Sequence, residues 1–256
     1  MILTQRNYFS KRASQEYMSV SQFKAFERCQ YSALAEISGK YKPEKSTALL
    51  VGSYVDAYFE GTLGTFIKEN PEIFKTDGRL RAEYAQAEII ISRILQDRLF
   101  MKHLSGEKQV IMTGLIKGVP VKIKIDSLLP DRIVDLKIMK DFESVYDRER
   151  GSLPFFEAWG YDLQGAVYQE VVRQNLGVRL PFYLAAATKE KTTDIDIVHL
   201  PQDMLDFSLE LFSDKIELYD AIKKGVIEPT RCERCDFCKQ TKKLKEPTEA
   251  EHYFFI

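Results

Sequence analysis

Two short segments of alternating apolar and polar residues, joined by a tight turn, constrain the fold of this chain most. In residues 119–126, valine and isoleucine alternate with proline, lysine and aspartate, and residues 133–138 show a similar alternation. A period of two residues is typical of a half-buried β-strand. The intervening Pro130 and Asp131 are turn residues. The pattern therefore predicts an antiparallel hairpin.

This hairpin brings acidic residues of both strands together. With Pro130 and Asp131 at the turn, Asp126 lies directly across from Asp135, and such partners have Cβ atoms about 4.5–5.5 Å apart. Lys137 lies two residues beyond Asp135 and points to the same face. Two facing carboxylates repel unless a cation binds them, and carboxylates suit Mg²⁺ or Mn²⁺. The alternative is a solvated strand face with ordinary charge pairs.

Composition indicates a folded protein without a global attraction to nucleic acid. The chain has 256 residues, 45% of them hydrophobic, and a net charge of −1. Any contact with DNA must therefore come from a local groove. No apolar run approaches the roughly 18 residues of a membrane span, and residues 1–14 lack the apolar core of a signal peptide. We expect a cytoplasmic protein with reduced thiols and no membrane partner.

The order of predicted elements indicates one α/β domain with a mixed central β-sheet flanked by helices. We expect an irregular arm over residues 1–18, a helical part over 19–103, the sheet-containing core over 104–200, and a helix with a cysteine- and lysine-rich tail over 201–256. Helices are predicted over 19–38, 46–60, 81–103, 157–175 and 202–224, and strands over 109–116, 119–126, 133–138, 182–188 and 194–199.

Two further acidic residues are candidates for the same site. The turn that precedes the hairpin brings Gln109 across from Asp126, and Glu107 is then near the same end of the sheet. Glu107 is either a helper carboxylate or a charge at a loop end. Asp56 follows Gly52 by four residues on an apolar predicted helix, so the two share one face. A metal ion, a cap or a salt bridge would each provide a partner for Asp56.

All four cysteines belong to one pattern. Cys29 stands alone, whereas Cys232, Cys235 and Cys238 form C-x2-C-x2-C. This spacing in a cytosolic protein is typical of metal ligands, and Cys29 remains as the fourth thiolate. Four thiolates suit a [4Fe–4S] cluster or a structural Zn²⁺, and the alternative is three reduced tail thiols with one core cysteine. The basic run that follows is a solvated tail or a phosphate contact. Its members are Lys239, Lys242, Lys243 and Lys245.

Together these residues resemble the RecB-type nucleases of the PD-(D/E)xK superfamily. More narrowly, residues 19–244 are similar to the phage-associated exodeoxyribonuclease VIII-like (RecE-like) domain. Asp126 matches the hairpin acid of the family, and Asp135-Leu136-Lys137 matches its D-x-K element. Glu107 matches an acidic position at the start of the sheet. The resemblance implies a restriction-endonuclease-like core.

Two helical motifs of the family also match. Gly52 to Asp56 corresponds to a G-x-x-x-H motif, with Asp56 in place of the histidine that binds the first metal. Gln164 to Tyr168 corresponds to the Q-x-x-x-Y motif, which the family uses near the DNA and the active-site lysine. Without the resemblance, a glutamine and a tyrosine on a helix are more typical of a surface and a core position.

The cysteine pattern resembles that of the iron-staple nucleases, which have one upstream and three downstream cysteines. Their last spacing is usually longer than the two residues between Cys235 and Cys238. The sequence therefore leaves three states open for the cysteines: a [4Fe–4S] cluster, Zn²⁺ and no metal.

The resemblance implies a metal-dependent DNA exonuclease. Asp126, Asp135 and the Leu136 carbonyl would hold one or two Mg²⁺ or Mn²⁺ ions, with Asp56 completing the ligand set. Such a cation acidifies a bound water and stabilises the phosphate, and Lys137 would position that water. The further candidate catalytic residues are Gln164, Tyr168 and Glu107.

The resemblance also implies double-stranded DNA ends as substrate, a role in phage recombination or repair, and a partner that anneals single-stranded DNA. A homo-oligomer is expected by analogy alone. Lys122 and Lys124 are predicted to contact the DNA backbone. Two alternatives stay open: a non-catalytic DNA-binding or assembly module built on the cysteine site, and a structure-specific endonuclease.

Overall fold

The computed structural model describes residues 1–44, 46–244 and 246–247. The helices are α1 (Lys11–Glu16), α2 (Val20–Arg28), α3 (Gln30–Ser38), α4 (Thr47–Glu60), α5 (Leu63–Glu69), α6 (Gln86–Leu95), α7 (Arg98–His103), α8 (Phe155–Ala158), α9 (Tyr161–Leu176), α10 (Gln202–Lys223) and α11 (Asp236–Gln240). The strands are β1 (Val110–Ile116), β2 (Val119–Ile125), β3 (Ser127–Leu129), β4 (Arg132–Met139), β5 (Val145–Asp147), β6 (Gly151–Leu153), β7 (Phe182–Thr188) and β8 (Ile195–His199).

The central sheet has the strand order β3-β4-β7-β8. Its inner strands β4 and β7 are parallel, whereas β3 and β8 pair with them in the antiparallel sense. Two hairpins, β1-β2 and β5-β6, accompany this sheet. The predicted mixed sheet with flanking helices is therefore confirmed, while the β5-β6 hairpin was not foreseen. That the whole chain forms one domain stays a prediction.

The chain changes partner strands at Asp126, which forms a bend between β2 and β3. β2 pairs along its whole length with β1. β3 pairs with β4 from Ser127–Val134 to Leu129–Arg132, which confirms the predicted turn. The strand predicted over 119–126 is present as β2 up to Ile125, but a separate short strand, β3, pairs with β4 in its place. The reason is that β2 completes its ladder with β1 before the bend redirects the chain to β4.

The central sheet separates two apolar clusters. One contains Ile133 of β4 together with residues of α2, α9 and α10. The other contains Val134 and Leu136 together with residues of α4, α6 and α7. Because side chains alternate along a strand, Asp135 and Lys137 share the face of Ile133. A strand buried on both faces in this way places charged residues where only specific partners stabilise them.

Three predicted helices are each divided in two, and two of these breaks lie at residues that cap a new helix. The helix expected over 19–38 is interrupted at Cys29, whose backbone is extended with φ −168° and ψ 110° and whose sulfur accepts a hydrogen bond at the start of α3. The helix expected over 81–103 ends at Leu95, and Asp97 begins α7 by accepting the Phe100 N–H at 2.9 Å. Both breaks arise because a side chain that accepts backbone N–H groups starts a new helix.

The N-terminal residues are not an irregular arm as predicted. Ser10 caps α1 by accepting the Ala13 N–H at 3.2 Å, and Met18 forms a parallel bridge with Val121 of β2.

The helix expected over 157–175 is likewise divided into α8 and α9 by Gly160, whose φ of +62° is left-handed. Within the described ranges, no helix is both long and apolar enough to cross a membrane.

Candidate active site

The strand β4 fixes Asp135 and Lys137 side by side. Asp135 is 1% exposed, and its Oδ2 forms an ion pair with Nζ of Lys137. Its Oδ1 accepts a hydrogen bond from Nε2 of Gln164 on α9 at 2.6 Å. Both oxygens of a buried carboxylate are therefore bound, one by a charge on the same strand and one by an amide from the covering helix.

Asp126 approaches the same strand from its edge. Its Oδ2 accepts the backbone N–H of Leu136 at 2.9 Å, and its Oδ1 accepts Nε2 of Gln109 at 3.3 Å. The ladder between β3 and β4 ends at Ser127–Val134. The peptide N–H of Leu136 is consequently free of a strand partner on this edge, and the Asp126 carboxylate takes its place.

The Leu136 carbonyl lies within the same group of atoms. Nζ of Lys137 donates to this carbonyl at 3.4 Å and lies 5.5 Å from the centroid of the Tyr161 ring. The structure therefore brings Asp126, Asp135, Lys137 and the Leu136 peptide together, as the sequence analysis expected. At this edge of the sheet, a cation could bind the carboxylates and the Leu136 carbonyl, and a phosphate oxygen could contact the Lys137 ammonium.

Asp56 approaches Leu136 from α4, which packs on the face of β4 that carries the Leu136 side chain. Its Oδ1 is buried and, within the described part of the chain, has no hydrogen-bond partner. A narrow pocket with room for about one water molecule or ion lies at this point. It is lined by Asp56, Phe59, Glu60, Leu104, Lys108, Asp126 and Leu136.

Burial is the main cause that raises the pKa of Asp56, Asp135 and Glu60. Burial and then the charge of Asp126 raise the pKa of Asp56 well above its ordinary value. Burial raises the pKa of Asp135 to about 7, with Lys137 opposing and Asp126 reinforcing the shift. Burial also raises the pKa of Glu60, although Lys124 opposes it. Crowded, desolvated carboxylates with an unbonded oxygen fit a hard divalent cation such as Mg²⁺ or Mn²⁺.

Lys137 carries the positive charge that these acids require. Burial disfavours its ammonium form, but Asp135 and Asp126 outweigh burial and raise the pKa of Lys137. Its side chain is 22% exposed. A charged amine that Asp135 and the Leu136 carbonyl hold in place, on a partly exposed side chain, can orient a water or contact a phosphate.

Glu60 was missed in the sequence, and Glu107 lies near the expected end of the sheet as a charge at a loop end, outside the group of acids. The side chain of Glu107 is exposed and does not line the pocket, while its backbone pairs with Leu128 in both directions at 2.9 Å. Glu60 supplies the additional carboxylate instead. Its spacing of four residues from Asp56 on α4 was the available signal, because i and i+4 share a helix face.

The two members of the Q-x-x-x-Y motif have different roles. Gln164 contacts Asp135 directly, whereas the Tyr168 hydroxyl donates to the carbonyl of Lys124 at 3.1 Å. The Tyr168 ring packs edge-on against Phe182. Tyr168 thus holds β2 against α9 and does not contact Lys137.

Lys122 is not available to DNA, contrary to prediction. It is 3% exposed, and its Nζ donates to the Tyr8 carbonyl at 2.6 Å and lies 4.6 Å from the centroid of the Tyr8 ring. Burial lowers the pKa of Lys122 to about 8. Lys122 occupies a polar position in the alternating pattern of β2, but it is not exposed, because the N-terminal residues cover it. Lys124 is half-buried, with its Nζ 5.0 Å from the centroid of the Phe9 ring.

The four cysteines form a second cluster, remote in sequence from the acids. Cys29 lies at the break between α2 and α3, and the other three lie at and before α11. All four sulfur atoms lie within 4.8 Å of one another. The expected grouping of Cys29 with Cys232, Cys235 and Cys238 is therefore present and can hold a metal ion. Of the basic run beside it, Lys245 lies outside the described residues.

Comparison with known proteins gives a consistent result. The chain is 47% identical to a crystal structure of a protein from Eubacterium rectale called a "putative exonuclease", with a TM-score of 0.95 over 99% of this chain and 98% of that one. A structure of the protein SSO0001 is 15% identical with a TM-score of 0.28, which is too low to support any argument. No curated protein sequence matches significantly.

A family model described as a PDDEXK-like domain of unknown function, DUF3799, matches residues 19–241. This match covers the acids of the sheet, the helical motifs and all four cysteines. Together with the similarity to the E. rectale protein, it supports a nuclease. The chain therefore belongs to the PDDEXK-like family DUF3799.

Proposed function

We propose that the chain is a metal-dependent DNA exonuclease that hydrolyses phosphodiester bonds at double-stranded ends. The observation that carries this proposal is the convergence of Asp126, Asp135 and Lys137 on the peptide of Leu136. This arrangement gives the chain carboxylates for a cation and an amine for the reacting groups. The family match and the similarity to a protein called an exonuclease support it.

Asp126, Asp135 and the Leu136 carbonyl would hold Mg²⁺ or Mn²⁺, with Asp56 as a further ligand. When bound, the cation supplies an acidified water and charge stabilisation for the phosphate. Gln164 and the Leu136 N–H orient the two carboxylates, because each donates to one of their oxygens. Preorganised donors of this kind lower the cost of arranging charge during the reaction.

Lys137 would position the attacking water and stabilise charge on the phosphate. Its ammonium is paired with Asp135 and lies over the ring of Tyr161 at 5.5 Å. These contacts hold the amine close to the sheet, while part of the side chain remains exposed. Lys24 is a nearby positive residue that donates to the Trp159 carbonyl at 2.8 Å and would add to a local phosphate-binding surface.

The finer features of the proposal come from the family resemblance. They are a role in phage-type recombination or repair, a partner protein that anneals single-stranded DNA, and assembly as a homo-oligomer. A cytoplasmic location agrees with a DNA substrate. A structure-specific endonuclease would use the same residues, so the substrate test must separate the two activities.

The test compares linear duplex, closed circular duplex and single-stranded DNA of equal length with Mn²⁺, Mg²⁺ or EDTA. We expect mononucleotides or short products from the linear duplex with either cation, and no degradation of closed circles. Cleaved circles would indicate an endonuclease. An Asp135→Asn variant is the control for contaminating nucleases, and equal activity in this variant would contradict the proposal.

A non-catalytic DNA-binding module would be indicated by a different result. It would give a salt-sensitive gel shift but no products with any divalent cation. The presence of Asp56 in place of the family histidine is the observation that favours this alternative.

A further inference from the structure

The arrangement of the four cysteine sulfur atoms distinguishes between the two metal centres that four thiolates can hold. Sγ of Cys29 lies 3.6 Å from Sγ of Cys238, and Sγ of Cys232 lies 4.0 Å from Sγ of Cys238. Every pair in the group, including those with Cys235, is within 4.8 Å. These are separations of ligands that share one centre.

A single tetrahedral ion requires this spacing. Four sulfurs at about 2.3 Å from one Zn²⁺ are about 3.8 Å apart, and the two resolved distances of 3.6 and 4.0 Å lie on either side of that value. In a [4Fe–4S] cluster each thiolate binds a different iron at a corner of the cube, so the sulfurs are roughly 6 Å apart. A disulfide would require about 2.05 Å. The cysteines therefore do not fit the cluster of the iron-staple nucleases.

The backbone around the sulfurs is organised for thiolates. Cys232 Sγ accepts the N–H of Cys235 at 3.3 Å and the N–H of Arg234 at 3.5 Å. Cys235 Sγ accepts the N–H of Cys238 at 3.4 Å. The turn that permits these contacts places Glu233 in the left-handed region, with φ +56°. Hydrogen bonds from outer groups orient metal ligands and offset their negative charge.

The site is closed by side chains from both parts of the chain. The Arg231 guanidinium donates to the Cys238 carbonyl at 2.6 Å and lies 4.6 Å from the centroid of the Tyr31 ring. The Phe237 ring stacks on Tyr31 with centroids 5.1 Å apart. Cys29 and Cys238 are buried, whereas Cys232 and Cys235 are partly exposed. Four protein ligands in a closed setting are typical of a structural metal site, whereas a catalytic site keeps one position open.

We propose that Cys29, Cys232, Cys235 and Cys238 bind one structural Zn²⁺ and not an iron–sulfur cluster. Zinc is favoured over a single ferrous ion because the same ligands bind Zn²⁺ more tightly than Fe²⁺. The ion would tie α3 to the tail, since Cys29 and Cys238 are 209 positions apart. This proposal of a zinc site does not depend on whether the chain cleaves DNA.

The decisive experiment is metal and acid-labile sulfide analysis of the full chain, purified anaerobically from cells grown with both iron and zinc. We expect about one zinc per chain, no acid-labile sulfide and no absorbance near ~400 nm. About four irons with sulfide, or one iron without sulfide, would overturn the proposal. A protein that contains no metal and does not bind added Zn²⁺ tightly would overturn it as well.

Two comparisons assign the zinc to the cysteines. An Asp126→Asn/Asp135→Asn variant should retain its zinc, whereas Cys232→Ser should lose it. Because Cys232→Ser also risks failure to fold, Co²⁺ added to metal-free wild-type protein provides a second measurement. It should give the visible bands of a tetrahedral thiolate complex, and a spectrum of octahedral oxygen ligation would contradict the assignment.

Discussion

The carboxylate of Asp126 accepts the backbone N–H of Leu136 at 2.9 Å. In sequence, Leu136 lies between Asp135 and Lys137, whose side chains form an ion pair on one face of β4. The backbone of Leu136 thereby contacts both partners of the site, because its N–H binds Asp126 and its carbonyl accepts a hydrogen bond from Lys137. The candidate chemistry of the chain depends on this arrangement.

Removal of the Asp126 charge should abolish activity without unfolding the protein. Asn at this position can still accept the Leu136 N–H but loses the charge that attracts a cation. We predict that Asp126→Asn lowers the rate of Mn²⁺-dependent DNA degradation by at least about 100-fold, corresponding to about 2.7 kcal/mol of lost transition-state stabilisation. Asp131→Asn in the exposed turn is the matched control and should retain wild-type activity. Comparable losses in both variants would indicate a structural effect.

Asp56 should destabilise the metal-free protein and stabilise the metal-bound one. Its buried Oδ1 has no hydrogen-bond partner within the described ranges, and burial with Asp126 raises its pKa. We predict that Asp56→Asn raises the free energy of unfolding in EDTA, because a buried carboxyl with a raised pKa is replaced by a neutral amide. The same variant should show a smaller increase in Tm on addition of MgCl₂. An unchanged response to Mg²⁺ would exclude Asp56 from the cation site.

The two residues of the Q-x-x-x-Y motif should give separable effects. Gln164→Leu leaves one oxygen of buried Asp135 without its donor, so activity should fall by about 10-fold or more. Tyr168→Phe removes the hydrogen bond to the Lys124 carbonyl and should cost about 1 kcal/mol of stability, with activity reduced less than in Gln164→Leu. Denaturant unfolding and initial rates on the same preparations check both expectations.

Lys122 should make stability depend on alkaline pH. Burial lowers its pKa to about 8 in the folded protein, so between this value and about 10.4 the unfolded chain binds more protons. Because stability rises with pH wherever the unfolded state binds more protons, the free energy of unfolding should rise across this interval. The comparison with Lys122→Met removes the contributions of other lysines. If the free energy of unfolding changes with pH in the same way in wild type and Lys122→Met, the pKa of Lys122 is not lowered in the folded protein.

Much of the candidate site could be predicted because it depends on local periodicity. The alternation around the turn at Pro130–Asp131 placed Asp126 opposite Asp135, and the spacing of the cysteines grouped Cys29 with the tail. These relationships follow from strand geometry and from the chemistry of metal ligands, and both can be inferred from the residue types and spacings in short segments of the sequence.

Other features depend on contacts between distant segments and could not be predicted in the same way. Lys122 is polar in the strand pattern but is covered by Tyr8, which lies 114 positions away. The spacing of Glu60 and Asp56 indicates only that they share a face of α4, whereas their position beside Asp126 depends on the packing of α4 against β4. The division of the first predicted helix at Cys29 reflects its extended backbone and its sulfur cap on α3.

The most direct test of the account is the rate at which Lys137→Ala degrades linear duplex DNA with Mn²⁺, measured beside Lys140→Ala. Lys140 follows β4 and its side chain is 89% exposed, so it provides a matched loss of one lysine outside the site. The account predicts that Lys137→Ala loses at least about 100-fold in rate while retaining DNA binding, and that Lys140→Ala retains wild-type activity. Equal rates for wild type and Lys137→Ala would contradict it.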